Sequence, residues 1–331
     1  MSERQAAVAP SLESIREPIA ADLLIVDDVI RRRLDSDVAL IRTISQYIIG
    51  SGGKRLRPAL VLLSASAFGA QGPARHELAA VIEFIHTATL LHDDVVDESS
   101  LRRGRKTANA EFGNAASVLV GDFLYSRAFQ MIVDAGSLRI MKVLADATNV
   151  IAEGEVLQLL NVHDADTAEE QYLQVIRYKT AKLFEAATQV GAILGEATPE
   201  AERALAEYGM HLGTAFQLID DVLDYSGDLS ETGKNLGDDL AEGKPTLPLI
   251  RVMQAGNAEE KQLVRHAIEE GGKGDLEAVV AALHRTEALD YARARAREEA
   301  AEATARLALL PDSPCRDSLL QLALFSVERK F

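Results

Sequence analysis

Several residue types are scarce in this 331-residue sequence: tryptophan is absent, aromatic residues make up 5%, and Cys315 is the one cysteine. A single cysteine excludes a disulfide within the chain and is typical of a protein from a reducing compartment. No uncharged apolar run reaches about 18 residues, so no membrane span is expected, and the first residues lack the apolar core of a signal peptide. These absences predict a cytoplasmic protein.

Positive charge is also in short supply. The chain has 35 Lys and Arg residues against 51 Asp and Glu residues, for a net charge of −16. A nucleic-acid partner is therefore not expected, because such proteins usually present a basic surface. An anionic substrate stays compatible with this charge, since local basic groups can override the average.

Apolar residues recur at helical spacing through most of the chain, and hydrophobic residues make up 47% of it. The predicted helices cover residues 23–48, 58–68, 81–96, 114–134, 138–161, 169–195, 205–223, 246–254, 258–270, 275–309 and 315–328. We see no convincing strand pairs and no Ser- or Pro-rich linker. The pattern predicts an all-α fold with a single domain over residues 1–331, in which residues 1–20 form a loosely ordered extension.

Two DDxxD sequences stand near the predicted ends of two helices. Their members are Asp93, Asp94 and Asp97 in the first cluster and Asp220, Asp221 and Asp224 in the second. Carboxylates at i and i+4 share a helix face, and such close like charges require a cation. A few hard oxygen ligands, with positions left for phosphate oxygens, are typical of Mg²⁺. The alternative for each cluster is a solvated face or a helix cap.

Cationic residues are interleaved with these clusters in four places. They are GGKRLRP (52–58), Arg102 to Lys106, Lys179 with Thr180, and the loop that carries Lys234 and Lys244. Each alone is more often a solvated surface charge. Glycine N–H groups with Lys and Arg beside acid clusters instead indicate a metal–diphosphate site, although the GxxxxGK[ST] pattern of a P-loop is absent.

His86 belongs to a Glu-x-x-His sequence with Glu83, which is half of a di-iron carboxylate site. We find no second Glu-x-x-His, so the di-iron interpretation fails on ligand count. A hydrogen-bonded core histidine remains an alternative for His86.

Six longer segments make a more specific pattern. They are GGKRLRP (52–58), EFIHTATLLHDDVVDESSLRRG (83–104), GNAASVLVGDFLYSRAF (113–129), KTAKLFEA (179–186), GTAFQLIDDVLDY (213–225) and the segment GKNLGDDLAEGKPTLPL that ends at residue 249. From about residue 20 to the C-terminus, the chain resembles the trans-polyprenyl diphosphate synthase family, most closely its long-chain bacterial octaprenyl branch.

The resemblance implies the isoprenoid-synthase helical bundle around a deep central cavity, a homodimer, and three Mg²⁺ ions per active site. It implies a prenyltransferase that adds isopentenyl diphosphate to an allylic diphosphate, expected to be farnesyl diphosphate. Ionisation, condensation and proton loss would lengthen the chain by five carbons, and the departing diphosphate would take the proton. The product would supply a quinone side chain, as in ubiquinone biosynthesis, with a transient membrane contact for its release.

The resemblance also assigns roles to individual residues. The metal ligands would be Asp93, Asp97, Asp220 and Asp224, and the catalytic set would be Asp93, Asp97, Asp220, Lys179 and Arg102. The allylic diphosphate would contact Arg102, Lys179, Thr180, Gln217, Lys234 and Lys244. Isopentenyl diphosphate would contact Gly53, Lys54, Arg57, His86 and Arg103.

Product length has a geometric argument. The growing tail would run along the helix that bears Asp93, past the small residues Ala88 and Thr89, where family members with short products tend to have bulky aromatic residues. Eight extended isoprene units span on the order of 35 Å, about 23 residues of helix. Phe129 and Met131 are candidates for the tunnel floor, and ordinary core packing is the alternative for both.

Three other functions compete with this interpretation. A terpene cyclase usually carries an Asn/Ser/Glu triad as its second motif, whereas this chain has a full DDVLD sequence. A non-catalytic subunit of a heteromeric synthase tends to lose its Asp clusters, and both clusters are intact here. A farnesyl or geranylgeranyl synthase is the alternative that product length alone would distinguish.

Overall fold

The computed structural model describes residues 11–50, 53–102, 104–226 and 236–329, and it confirms the all-α prediction. The helices are α1 (Leu12–Arg16), α2 (Ala20–Arg33), α3 (Ala39–Gly50), α4 (Leu56–Ala67), α5 (Ala74–Val96), α6 (Ala108–Phe112), α7 (Asn114–Asp134), α8 (Leu138–Asn161), α9 (Glu169–Ile176), α10 (Lys182–Leu194), α11 (Pro199–Ser226), α12 (Asp238–Ala241), α13 (Leu247–Ala255), α14 (Ala258–Glu270), α15 (Leu276–Arg285), α16 (Ala288–Arg306) and α17 (Pro314–Glu328). Short 3₁₀ turns at Glu17–Ile19, Lys273–Asp275 and Leu307–Leu309, and a π-helical segment at Arg177–Ala181, join some of them.

Side-chain caps begin several helices where the sequence predicts a start. Ser137 Oγ accepts a hydrogen bond from the N–H of Ile140 (3.3 Å), and Asn257 and Glu260 form a reciprocal capping box. These caps satisfy N–H groups that have no partner within the helix. They explain why the predicted bounds of α8 and α14 match the structure.

Polar and strained residues break two helices that the apolar spacing predicts as continuous. The predicted helix 23–48 is wrong, because α2 and α3 are separated at residues 34–38. There the Asp35 carboxylate and the Ser36 hydroxyl accept hydrogen bonds from nearby backbone N–H groups (3.1 and 3.2 Å), in competition with the helix. The predicted helix 275–309 breaks before α16, where Glu287 adopts φ +53°.

The expectation of no strand pairs is also wrong. A two-stranded antiparallel ribbon, β1 (Leu101–Arg102) and β2 (Arg105–Lys106), follows the first Asp cluster. Gly104 adopts φ +72° in its turn, a conformation that glycine reaches without strain. The ribbon is too short for a period-2 pattern to reveal it.

Helix α11 contributes residues to both hydrophobic cores. It packs against α10 and α16. Its first half contributes Leu205 and Tyr208 to a core formed mainly with α4, α5, α7, α8, α10 and α17, and its second half contributes Ile219 and Val222 to a core with α9 and α12–α16. The two cores therefore share one continuous helix, which is compatible with the single-domain prediction.

The sequence predicts a loosely ordered extension over residues 1–20, but the part of it that the structure describes is packed. Residues 1–10 lie outside the described residues, but residues 12–20 are helical, and Ile15 and Ile19 are buried. These two side chains anchor the segment because the apolar area they remove from water favours a packed position. In the described part of the chain, no helix has the length and apolar character needed to cross a membrane.

Candidate functional site

The first Asp cluster lies at the C-terminal end of α5, and lysines from two other segments reach it. The Lys179 ammonium lies 3.4 Å from an Asp93 carboxylate oxygen, and the Lys244 ammonium lies 2.9 Å from one of Asp97. Carboxylates are disfavoured at a helix C-terminus, where the dipole is negative. The lysines supply the compensating charge.

Asp94 points away from these lysines and is buried. Its carboxylate accepts hydrogen bonds from Arg102 Nε (3.0 Å) and Nη2 (2.6 Å), which come from strand β1. Burial raises the pKa of Asp94, and Arg102 opposes that rise. Asp94 therefore ties the ribbon to the helix end.

The second Asp cluster lies in the last turns of α11, and each member has a different partner. Asp220 pairs with Arg329 at 2.6 Å, and Asp224 accepts a hydrogen bond from the N–H of Asp239 at 3.2 Å. Asp221 is buried and accepts hydrogen bonds from Tyr172 Oη (2.5 Å) and Gln217 Nε2 (2.8 Å). Burial and the nearby Asp239 raise the pKa of Asp221 well above its usual range.

Lys244 connects the two clusters electrostatically. It pairs with Glu242 at 2.6 Å as well as with Asp97, and its side chain is only 14% exposed. Burial lowers its pKa, but Asp97, Asp239 and Glu242 raise it, and the net shift is upward. Because Asp239 contacts Asp224, the structure brings the ends of α5 and α11 to one site.

Lys179 occupies the π-helical segment between α9 and α10. Its ammonium lies 2.6 Å from Glu155 on α8, whose pKa is raised to about 7 by burial against the opposing effect of Lys179. A Cβ at Gly154 would lie 2.6 Å from the Lys179 backbone nitrogen, so only glycine permits this close approach. Next to Lys179, the Thr180 hydroxyl donates to Gln217 Oε1 (3.1 Å). Single-turn π segments are frequent at functional sites.

The predicted isopentenyl diphosphate residues lie around the start of α4. An Arg57 guanidinium nitrogen lies 3.1 Å from His86 Nε2, and that guanidinium also stacks on Phe184, 4.5 Å from the ring centroid. Arg55, in the same GGKRLRP segment, pairs with Asp27 and Glu83. Glu83 is thus an ion-pair partner, and His86 lies beside Arg57. Gly53 and Lys54 precede Arg55 in the same segment.

Some of the predicted residues cannot be placed. Arg103 and Lys234 lie outside the described residues. Among the described residues, no three His, Cys, Asp or Glu side chains lie close enough to hold a metal ion. In the described structure, Arg102, Lys179, Lys244 and Arg329 each pair with a member of the two clusters.

The four predicted tunnel residues lie along α5 and α7. The two helices pack antiparallel: the Ser117 hydroxyl donates to the Leu91 carbonyl (3.0 Å) near the Asp end, and Arg33 pairs with both Glu77 at the start of α5 and Asp134 at the end of α7. Phe129 and Met131 lie 12 and 14 residues beyond Ser117, about 18–21 Å further along α7. Ala88 and Met131 are buried in the larger core. The Thr89 hydroxyl donates to the His86 carbonyl of its own helix. The tunnel assignment stays a prediction.

Sequence reasoning missed four residues of this site: Glu155, Tyr172, Asp239 and Arg329. They come from α8, α9, α12 and the C-terminus, and none belongs to a cluster whose spacing signals a site. Asp239 had a weak signal, because it stands in the predicted GKNLGDDLAEGKPTLPL segment. No sequence signal pointed to Arg329, although its side chain is only 2% exposed and its guanidinium stacks on Phe216.

Comparison with known proteins gives full-length similarity. The polyprenyl synthetase family model matches residues 38–284. Octaprenyl diphosphate synthase of Escherichia coli K12 is 56% identical over 320 residues, which cover 96% of this chain and 99% of that protein. All-trans-nonaprenyl-diphosphate synthase (geranyl-diphosphate specific) of Rhodobacter capsulatus is 48% identical over 319 residues, 96% of this chain and 98% of that protein. A polyprenyl synthase from Caulobacter crescentus CB15, crystallised with calcium and isoprenyl diphosphate, has a TM-score of 0.94 at 43% identity and covers 98% of this chain and 99% of its own.

Proposed function

This chain belongs to the polyprenyl synthetase family, and from that premise we propose that it is a long-chain trans-polyprenyl diphosphate synthase with a product of eight isoprene units. The observation that carries the proposal is the 56% identity to octaprenyl diphosphate synthase along nearly the whole of both chains. The reaction is a prenyl transfer, in which isopentenyl diphosphate extends an allylic diphosphate by five carbons. The proposed starter is farnesyl diphosphate.

The donor set at the ends of α5 and α11 fits a hard divalent cation. Asp93 and Asp97 offer carboxylate oxygens from one helix, and Asp220 and Asp224 offer them from the other. Mg²⁺ prefers oxygen ligands and keeps positions for substrate phosphates, so a carboxylate set that is incomplete by itself is the expected arrangement. The calcium and isoprenyl diphosphate bound by the Caulobacter crescentus relative support this choice of ligands. We propose three Mg²⁺ ions per site, which would offset the charge of the leaving diphosphate.

The lysines of the site have a direct role in the proposed chemistry. The Lys179 and Lys244 ammonium groups face the first Asp cluster, where a diphosphate would lie. They would exchange a carboxylate partner for phosphate oxygens and stabilise the negative charge that grows as the allylic C–O bond ionises. Arg102, Thr180, Gln217 and Lys234 complete the proposed allylic diphosphate site.

Isopentenyl diphosphate would bind at the start of α4, through Gly53, Lys54, Arg57, His86 and Arg103. The Arg57 guanidinium, paired with His86, lies over Phe184, so the cationic end of this subsite borders apolar surface. The double bond of this substrate attacks the allylic cation, and loss of a proton then leaves a trans double bond. The buried surface around the subsite would keep water from the cation.

The proposed setting is a cytoplasmic homodimer that supplies the side chain of a respiratory quinone such as ubiquinone. Exposed leucines support self-association: Leu119 on α7 and Leu160 on α8 are 66% and 71% exposed. Large apolar side chains exposed on consecutive helices often mark an interface.

The test is incubation of the purified chain with labelled isopentenyl diphosphate, Mg²⁺ and either farnesyl or geranyl diphosphate, with EDTA as control. A Mg²⁺-dependent product of forty carbons is expected. A product of fifteen or twenty carbons would leave the family intact and contradict the product length. No product with either starter would contradict the proposed function.

A pair of variants connects the activity to the second cluster. Asp220→Asn should lower kcat by about 10²-fold or more, because it removes a carboxylate that we assign to the metal. Asp146→Asn changes an exposed carboxylate on α8 and should leave the rate unchanged. Equal rates for both variants would remove Asp220 from the site.

A further inference from the structure

His163, just after the C-terminal end of α8, packs against the residue that precedes Lys244. The loop between α12 and α13 carries Lys244, and Gly243 precedes it with φ +68°. A Cβ built on Gly243 would lie 2.2 Å from His163 Nδ1 and 2.4 Å from its Cε1. The imidazole therefore packs directly against the glycine, and no larger residue fits there.

Two hydrogen bonds fix the position of His163. Its backbone N–H donates to the Gly243 carbonyl at 2.8 Å, and its Nδ1 lies 2.8 Å from the Ile268 carbonyl of α14. A carbonyl oxygen can only accept, so Nδ1 must carry the proton in this contact. His163 adopts φ +62°, which a side chain tolerates only where its surroundings stabilise it.

The last residue of α12, just before this loop, rests against the end of α14. A Cβ on Gly271 would lie 2.9 Å from the Ala241 carbonyl, so α14 and the end of α12 are in close contact there. His163 lies between the loop and α14, because one of its two hydrogen bonds goes to the loop and the other to α14. We call His163, Gly243 and Ile268 the His163 latch.

The latch acts on the residue that follows Gly243. The backbone N–H of Lys244 donates to the Asp239 carbonyl at 2.9 Å, and its ammonium reaches Asp97 and Glu242. Because a flexible lysine loses side-chain entropy when it is confined, its orientation depends on a fixed backbone. The latch provides that fixed point at Gly243, whose Cα lies about 3.8 Å from the Lys244 Cα across one trans peptide bond.

We propose that His163 is a positioning residue that holds Lys244 toward the allylic diphosphate by clamping Gly243. This inference rests on the proposed function of Lys244 and adds a residue outside the six motif segments. The hydrogen bonds of His163 go to the Gly243 and Ile268 carbonyls, so it acts through the backbone of the loop.

Two substitutions separate the latch from a general packing role. His163→Ala removes the ring and the bond to Ile268. His163→Asn is the matched control, because an Asn side chain places an N–H near the position of Nδ1 and tolerates positive φ. His163→Ala should lower kcat/KM for the allylic diphosphate about tenfold, the effect of roughly 1.4 kcal/mol. His163→Asn should stay within about threefold of the parent, and KM for isopentenyl diphosphate should change less than twofold in both.

Each variant is also made in a Lys244→Ala background. If His163 acts through Lys244, His163→Ala should have no further effect there, because substitutions coupled through a shared backbone shift are not additive. Equal losses in both backgrounds, or equal losses for both substrates, would overturn the proposal. If the parent enzyme catalyses no prenyl transfer, the proposed function is contradicted. The latch is then tested by a separate measurement that does not depend on activity.

That measurement is hydrogen exchange at the Lys244 amide. Exchange should be about tenfold faster in His163→Ala than in the parent and close to the parent in His163→Asn, because loop opening exposes the bond to Asp239. Unchanged exchange in His163→Ala would overturn the latch whatever the enzyme catalyses.

Discussion

Glu155 is subject to two opposing influences at the residue scale. Burial favours its neutral form, whereas Lys179, 2.6 Å away, favours its carboxylate. The result is a pKa of about 7 in place of an ordinary 4.5. The folded state thus binds this proton more tightly than the unfolded state. The stability that Glu155 contributes is present below pH 4.5 and is lost as the pH rises toward 7.

In the Glu155→Gln variant this side chain cannot ionise, so the variant does not lose this stability as the pH rises. In EDTA, the free energy of unfolding of the variant relative to the parent should increase from pH 5 to pH 8. Glu153→Gln, an exposed change on the same helix, is the control, and urea unfolding at the two pH values is the measurement. A difference that stays constant with pH would show that Glu155 does not titrate in this range.

At the scale of the element, the close approach of α8 to the π-helical segment depends on Gly154. Gly154→Ala would place a methyl group 2.6 Å from the Lys179 backbone nitrogen. We expect about 1–3 kcal/mol of destabilisation from overpacking, together with lower kcat because Lys179 shifts. Gly274→Ala is the matched control, since a Cβ there meets nothing within 4 Å. Denaturant unfolding and steady-state rates check both, and equal stability of the two variants would contradict the packing argument.

Helix α5 also bears on product length. Ala88→Phe would place an aromatic ring one to two turns before Asp93 and should shorten the product, if the tail runs along this helix. Ala74→Phe makes the same change at an exposed position at the start of α5 and should leave the product unchanged. Chromatography of the dephosphorylated products measures the chain length. An unchanged product from a folded, active Ala88→Phe enzyme would favour the core-packing interpretation.

At the scale of the whole molecule, α7 and α8 are the proposed surface for a second copy of the chain. Leu119→Glu and Leu160→Glu should each convert a dimer to a monomer, because an unpaired carboxylate buried in an interface costs several kcal/mol. Leu309→Glu changes a 60% exposed leucine in the 3₁₀ turn after α16 and serves as the control. Light scattering at micromolar concentration measures the mass. A monomeric parent would contradict the proposed homodimer.

Local signals were sufficient for much of this protein. Apolar spacing predicted helices such as α7, α8 and α14, because helix formation depends on residues within a few turns. The Asp clusters and GGKRLRP could be found in the same way, since each is a short contiguous segment with unusual charge. The break before α3 was missed, because the competition of Asp35 and Ser36 with the helix is decided by a few hydrogen bonds.

The sequence by itself therefore determined the helical class, the two carboxylate clusters and the resemblance to a family of synthases. The tertiary structure decided which other residues surround those clusters. Glu155, Tyr172 and Arg329 reach the site from three separate elements, and His163 reaches the Lys244 loop from the end of α8. Contacts between residues far apart in the chain depend on how helices pack, and no local pattern encodes that packing.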